Sequence, residues 1–361
     1  MTGQSDVAKL NEFGQSPWYD NLTRSLARGG LQQLVDHDGI RGVTSNPTIF
    51  EKAMGTGSDY DEQLRSLADA SVEDAYWTMV VDDIQGCCDI LAGVYTATKG
   101  LDGYVSVEVS PELARDTQAT IEQARQLWSR IRRPNLMIKI PATLEGLPAI
   151  TAVLASAINV NVTLIFSLER HQAVLDAHVA GLEQLLAFGE PINNVHSVAS
   201  FFVSRVDTET DPRLPEGHAL RGKAAVANAK LAYELFQTHC ATPRWAALAA
   251  AGGAVQRPLW ASTSTKNPDY SPTLYVDELI GPNTVNTLAQ ASVDALQSHQ
   301  GLRANSVSEN LATAHAEIDG LAAAGVDFAD VTATLERDGV ASFAKSYRDA
   351  LATLEAKRAT L

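Results

Sequence analysis

The chain has 361 residues, 45% of them hydrophobic, and sets 28 Lys and Arg against 43 Asp and Glu for a formal net charge of −15. That length suits one large domain or two average ones, and the composition is that of a globular protein with ample core. So acidic a balance argues against a nucleic-acid partner or an anionic membrane surface, although a few local cations can still hold one phosphorylated small molecule.

The opening MTGQSDVAKLNEFGQS has neither the basic nor the apolar region of a signal peptide. From there, short apolar or β-branched runs alternate with amphipathic helical stretches. Strands are predicted at Trp18 and Tyr19, Gly42 to Thr44, Tyr104 to Val109 and Leu136 to Ile140. Others follow at Val160 to Phe166, Val198 to Val203 and Leu259 to Ala261, with a weaker one at Thr284 to Leu288. Helical patterns fall between them, for example at Ala114 to Arg132, Leu168 to Ala187 and Arg221 to His239. This alternation predicts an α/β fold, a single (β/α)8 barrel spanning residues 1–361. A doubly wound open sheet is the structural rival, but no GxGxxG turn follows the first strand to favour it.

The stretch from Pro47 to Gly103 leaves room for two or three extra helices between the second and third strands. Asp207 to Gly222 is charged and carries two prolines, which predicts a loop after the sixth strand. The alanine-rich C-terminal part reads as helical, and Leu335, Phe343, Tyr347, Leu351 and Leu354 recur there at core-packing spacing. Gly146 to Leu168 is uncharged and long enough to suggest a membrane span, but Pro148, Asn159 and Asn161 interrupt it, so a helix followed by a strand explains it better. Cys87, Cys88 and Cys240 have neither disulfide nor metal-site spacing, so a reducing, cytoplasmic location is expected.

The informative residues are polar ones at the ends of apolar strands, because a (β/α)8 barrel builds its active site there. Lys139 interrupts the run LMIKIP, and an unpaired ammonium so placed must be paired, deprotonated or set at a cleft. Asp20 follows the first strand, Asn46 the second, and Glu108 lies near the end of the third. Asn161 and Thr163 share one face of the fifth strand, Ser200 and Phe202 one face of the sixth. Each has a plain alternative. Asp20 could cap a turn, Asn46 before Pro47 is a common turn residue, Glu108 and Lys139 could form a structural ion pair, and Phe202 could be core. What those readings leave unexplained is their convergence on one end of one barrel.

That convergence suits carbonyl chemistry through a Schiff base, in which a desolvated lysine amine attacks while carboxylates move protons. Arg205, with Ser262 to Lys266 in the stretch WASTSTKNP, forms a second, cationic group of the kind that holds phosphate.

Several segments together resemble transaldolase, most closely the longer bacterial members: GVTSNPTIF (42–50), VSVEVSP (105–111), IKIPAT (138–143), NVNVTLIFS (159–167), SFFVSRVD (200–207), WASTSTKNP (260–268) and GPNTVNTL (281–288). The resemblance implies a (β/α)8 barrel of the non-oxidative pentose phosphate pathway that works without metal or cofactor. It would transfer a dihydroxyacetone unit from sedoheptulose 7-phosphate or fructose 6-phosphate to glyceraldehyde 3-phosphate or erythrose 4-phosphate. Carried over by position, Lys139 is similar to the Schiff-base lysine and Asp20 to the acid/base at the C4 hydroxyl. Glu108 and Thr163 are similar to the pair that positions the catalytic water. Asn46, Asn161 and Ser200 match donor-binding residues, and Arg205, Ser262 and Lys266 the phosphate site. Ser264 stands where glycine is expected.

Two rivals remain at this level. Fructose-6-phosphate aldolases share the barrel and lysine but are shorter, with glutamine in place of Glu108 and tyrosine in place of Phe202. The other is a barrel that binds sugar phosphate without turnover. The expected partners are small sugar phosphates, with neither nucleic acid nor membrane, and the chain as monomer or homodimer.

Overall fold

Eight parallel strands close on themselves in chain order: β1 (Gln15–Tyr19), β2 (Gly42–Thr44), β3 (Tyr104–Glu108), β4 (Leu136–Pro141), β5 (Val160–Ile165), β6 (Ser197–Phe202), β7 (Arg257–Ala261) and β8 (Thr284–Leu288). The computed structural model describes residues 6–297, 299 and 301–361. Every strand residue is buried, as expected where helices cover one face of a parallel sheet and the barrel interior the other. The weak strand at Thr284–Leu288 is therefore present, and it closes the barrel by pairing with β1 through Gln15 opposite Thr284. The uncharged segment from Gly146 divides into a helix, Gly146–Leu154, and β5. Among the described residues no helix is long and apolar enough to cross a membrane.

Three helices occupy the insertion between β2 and β3: Pro47–Gly55, Asp61–Ser66 and Val72–Ala97. Their long helix is fixed to the loop after β1 by a buried ion pair, Arg24 Nε to Asp83 Oδ1 at 2.8 Å, with the Tyr60 hydroxyl donating to the other Asp83 oxygen at 2.7 Å. The C-terminal helix Phe328–Arg358 crosses back over this insertion and buries Leu335, Phe343, Tyr347 and Leu354. The predicted loop at Asp207–Gly222 is corrected in part. A helix, Ser204–Thr210, occupies its start because Asp207 is buried, accepting from Ala225 N at 2.8 Å and from the Tyr275 hydroxyl at 2.9 Å.

The two ends of the barrel differ in kind. At the N-terminal end Arg257 donates to Asp102 Oδ1 and to the Thr284 carbonyl, at 3.0 and 2.9 Å, while Ser16 donates to Asp102 Oδ2 at 2.7 Å. These groups sit where strands begin and their hydrogen bonds run to one another, so they plug the floor. Removing one partner from such a buried pair typically costs 3–5 kcal/mol.

The helix Leu168–Ala187 buries His171 against Phe201 and His178 against Trp245, with ring centroids 5.6 and 5.8 Å apart. Among the described residues neither imidazole has a hydrogen-bond partner, and burial, reinforced by the His239 charge, pushes both down from 6.5 to about 3. Between those values the unfolded chain binds protons that the folded chain refuses, so stability falls as pH drops below about 6.5. At pH 5 each histidine should cost about 2 kcal/mol relative to neutral pH. His178→Phe is expected to reduce the stability lost between pH 7 and 5 by about that amount, measured as urea unfolding at the two pH values. An undiminished loss would show that His178 is not the titrating group.

Candidate active site

At the opposite end, the C-terminal ends of the strands surround a cleft of about 300 Å³. Lys139 enters it from β4, in register with Glu108 of β3 on one side and Asn161 of β5 on the other. Its strand can turn sharply there because Gly146 lies against it. A Cβ on Gly146 would come within 2.1 Å of the Pro141 carbonyl oxygen, so any larger residue would displace the end of β4.

Lys139 is 5% exposed, donates to the Ser45 carbonyl at 3.1 Å, and lies 3.7 Å from Glu108 Oε2. That last distance fits an ion pair but is too long for a hydrogen bond. Burial pushes the Glu108 carboxyl from 4.5 up to about 7, against the opposing pull of Lys139. Among the described residues neither Glu108 oxygen has a hydrogen-bond partner, and neither has Thr163 Oγ1, although all three are buried.

Asn161 and Ser200 come together in a buried polar relay, of which Ser200 lines the cleft while Asn161 does not. Ser200 donates to Asn161 Oδ1 at 2.7 Å, and Asn161 Nδ2 donates to Ser106 Oγ at 3.0 Å. Just beyond Thr163 the β5–β6 register shifts, and Leu164 holds a left-handed φ of 59°. A leucine in that conformation costs roughly 1–2 kcal/mol, and strain of this sort gathers at functional sites.

Asp20 follows β1 and is tied to β8 through its backbone N, which donates to the Leu288 carbonyl at 2.9 Å. Burial raises its carboxyl, while the charges of Lys139, Lys266 and Arg205 act to lower it. Lys266 thus belongs to the same electrostatic neighbourhood as Lys139. Asn46 serves two purposes. Its Oδ1 caps the helix Pro47–Gly55 by accepting from Ile49 N at 3.0 Å, a helix cap where the sequence suggested a turn, and the residue also lines the cleft.

On the β6–β7 side the half-buried Arg205 has neither ion pair nor hydrogen bond to its guanidinium among the described residues. Its head lies 5.2 Å from the Phe202 ring and 6.0 Å from the Phe343 ring. Aromatic faces hold the cation while leaving its N–H groups available to an anion. Phe202 is therefore both packing and platform, touching Phe166 at 5.1 Å on its other side. Ser262 carries a left-handed φ of 56°, and its hydroxyl lies 2.9 Å from that of Ser204. Ser264 does not adopt a positive φ and bonds Ser292 at 3.0 Å, so its position does not demand glycine.

The cleft also contains residues that the sequence reading passed over: Lys52 and Thr48 on the helix after β2, and Phe343, read as core alone.

The model of the transaldolase/fructose-6-phosphate aldolase family matches residues 17–354. The chain belongs to that family. It is 52% identical to the transaldolase of Thermobifida fusca over 325 residues, 88% of each chain. It is 52% identical to that of Saccharopolyspora erythraea over 328 residues and 49% identical to that of Mycolicibacterium smegmatis over 330, each covering 89% of both chains. These relatives make the chain an enzyme of the transferase class, on the barrel that the sequence predicted.

Proposed function

We propose that the chain works as a transaldolase with Lys139 as the Schiff-base nucleophile, moving a dihydroxyacetone unit between a ketose phosphate and an aldose phosphate. The observation that carries this reading is the buried Lys139 amine 3.7 Å from a carboxyl poised near pH 7. Fructose 6-phosphate or sedoheptulose 7-phosphate would enter with its C2 carbonyl at the amine. The N–C2 bond forms, and protonated Glu108 gives its proton to the carbonyl oxygen, which becomes the carbinolamine hydroxyl, while taking the amine proton in return. Glu108, through a water shared with Thr163, returns the proton so that this hydroxyl leaves as water and an iminium remains. A group titrating near neutrality can serve in both directions.

The iminium then accepts the electron pair of the C3–C4 bond. Asp20 takes the C4 hydroxyl proton as that bond breaks, and the aldose phosphate departs. The enamine left on Lys139 attacks the carbonyl carbon of the incoming acceptor aldose, and Asp20 returns its proton to the new hydroxyl. Asn46, Asn161 and Ser200 would hold the three-carbon unit, whose hydroxyls they can match without adding charge. Arg205, Ser262 and Lys266 would take the phosphate, with Phe202 holding Arg205. We place this chemistry in the non-oxidative pentose phosphate pathway of the cytoplasm. Small sugar phosphates would be its partners.

Transfer and release give different products. With fructose 6-phosphate and erythrose 4-phosphate, sedoheptulose 7-phosphate should accumulate with little free dihydroxyacetone. Free dihydroxyacetone as the main three-carbon product would instead indicate a lyase. Glu108 and Phe202 favour transfer in this reading, since the similar lyases tend to carry glutamine and tyrosine there.

A further inference from the structure

The phosphate group described above lies on one side of the barrel mouth, after β6 and β7. In a closed barrel of eight strands β2 stands diametrically across from β6. The helix Pro47–Gly55, which follows β2, presents Thr48, Ile49 and Lys52 to the cleft. Their spacings of three and four residues put them on one helical face. Helix orientation is fixed by two contacts at its N-terminal end. Asn46 caps its start, and the Thr48 hydroxyl bonds that of Ser346 on the C-terminal helix at 2.8 Å.

Lys52 is exposed and makes no ion pair among the described residues, in a chain whose acidic groups outnumber its Lys and Arg 43 to 28. The charges that act on Asp20 come from Lys139, Lys266 and Arg205, and Lys52 is not among them. It is thus a separate cation on the facing wall. Its plain role is a solvated lysine in the last turn of a helix, where a positive charge is mildly favourable.

We propose that Lys52 is a specificity residue for phosphorylated substrates, drawing the sugar-phosphate dianion into the mouth from the wall facing Arg205. This rests on the transaldolase reading. A flexible ammonium at the rim of a cleft raises the capture rate of an anion, and a negative background makes its local sign matter more. The contribution should therefore fall as salt rises.

The test compares erythrose 4-phosphate with unphosphorylated erythrose as acceptor, at saturating fructose 6-phosphate, in the unaltered chain and in Lys52→Gln and Lys52→Glu. The ratio of kcat/KM for the two acceptors should fall about three- to tenfold in Lys52→Gln and further in Lys52→Glu. The effect should appear mainly in KM and shrink between low and high salt. If the unaltered chain transfers but neither variant changes the ratio, Lys52 is merely a solvated helix residue and the inference is wrong. If the unaltered chain shows no transfer to either acceptor, the transaldolase reading itself fails.

Discussion

Lys139→Ala is expected to lower transfer activity roughly 10⁴-fold or more, because without the amine no covalent step remains to make C3–C4 cleavage feasible. The barrel should survive the change. Glu108 would lose its 3.7 Å counter-charge, but burial already pushes that carboxyl to about 7 against the pull of Lys139. With the cation gone the carboxyl rises further and stays protonated, which avoids leaving an unpaired buried anion. Circular dichroism and thermal unfolding at pH 7 should therefore report a folded protein with no turnover of fructose 6-phosphate. A folded variant that kept measurable transfer would show that the nucleophile lies elsewhere.

Glu108→Gln should act earlier in the cycle and more selectively. Glutamine fills the same space but can neither take the amine proton nor return it to the departing hydroxyl, so imine formation should slow about 10²-fold. Cleavage, assigned to Asp20, should be affected less. The pH dependence carries the sign of the argument. Loss of water from the carbinolamine consumes a proton held by Glu108, so this step should slow as pH rises through about 7. Rapid quenching with borohydride during the first turnover would measure the step across pH. In Glu108→Gln the limb near pH 7 should vanish. If that limb and the rate of imine formation were both unchanged, Glu108 would be no more than a structural partner of Lys139.

The strands were legible because burial on both faces leaves an uninterrupted apolar signature. Against it, single polar residues such as Lys139 and Asn161 stand out. Boundaries moved by one to three residues, with β1 beginning at Gln15 instead of Trp18, β4 running on through Pro141 and β3 ending at Glu108. The charged segment after β6 was misleading because charge suggests solvent, whereas Asp207 is buried and satisfied by Ala225 and Tyr275. The helix-borne parts of the site were harder to see. Helical spacing marks Phe343 as inward-facing, but only the crossing of the C-terminal helix brings it to Arg205. Lys52 is one lysine among others along the chain until its helix is seen to border the cleft. The left-handed φ belongs to Ser262 and not Ser264, a backbone detail that neighbouring residue types do not encode.

The most direct measurement is to incubate the protein with fructose 6-phosphate, reduce with borohydride and map the modified residue by peptide mass spectrometry. A dihydroxyacetone-derived adduct on Lys139, absent when borohydride is omitted, is the predicted result. No covalent mass on Lys139, or an adduct at another lysine in an actively transferring enzyme, would contradict the Schiff-base assignment.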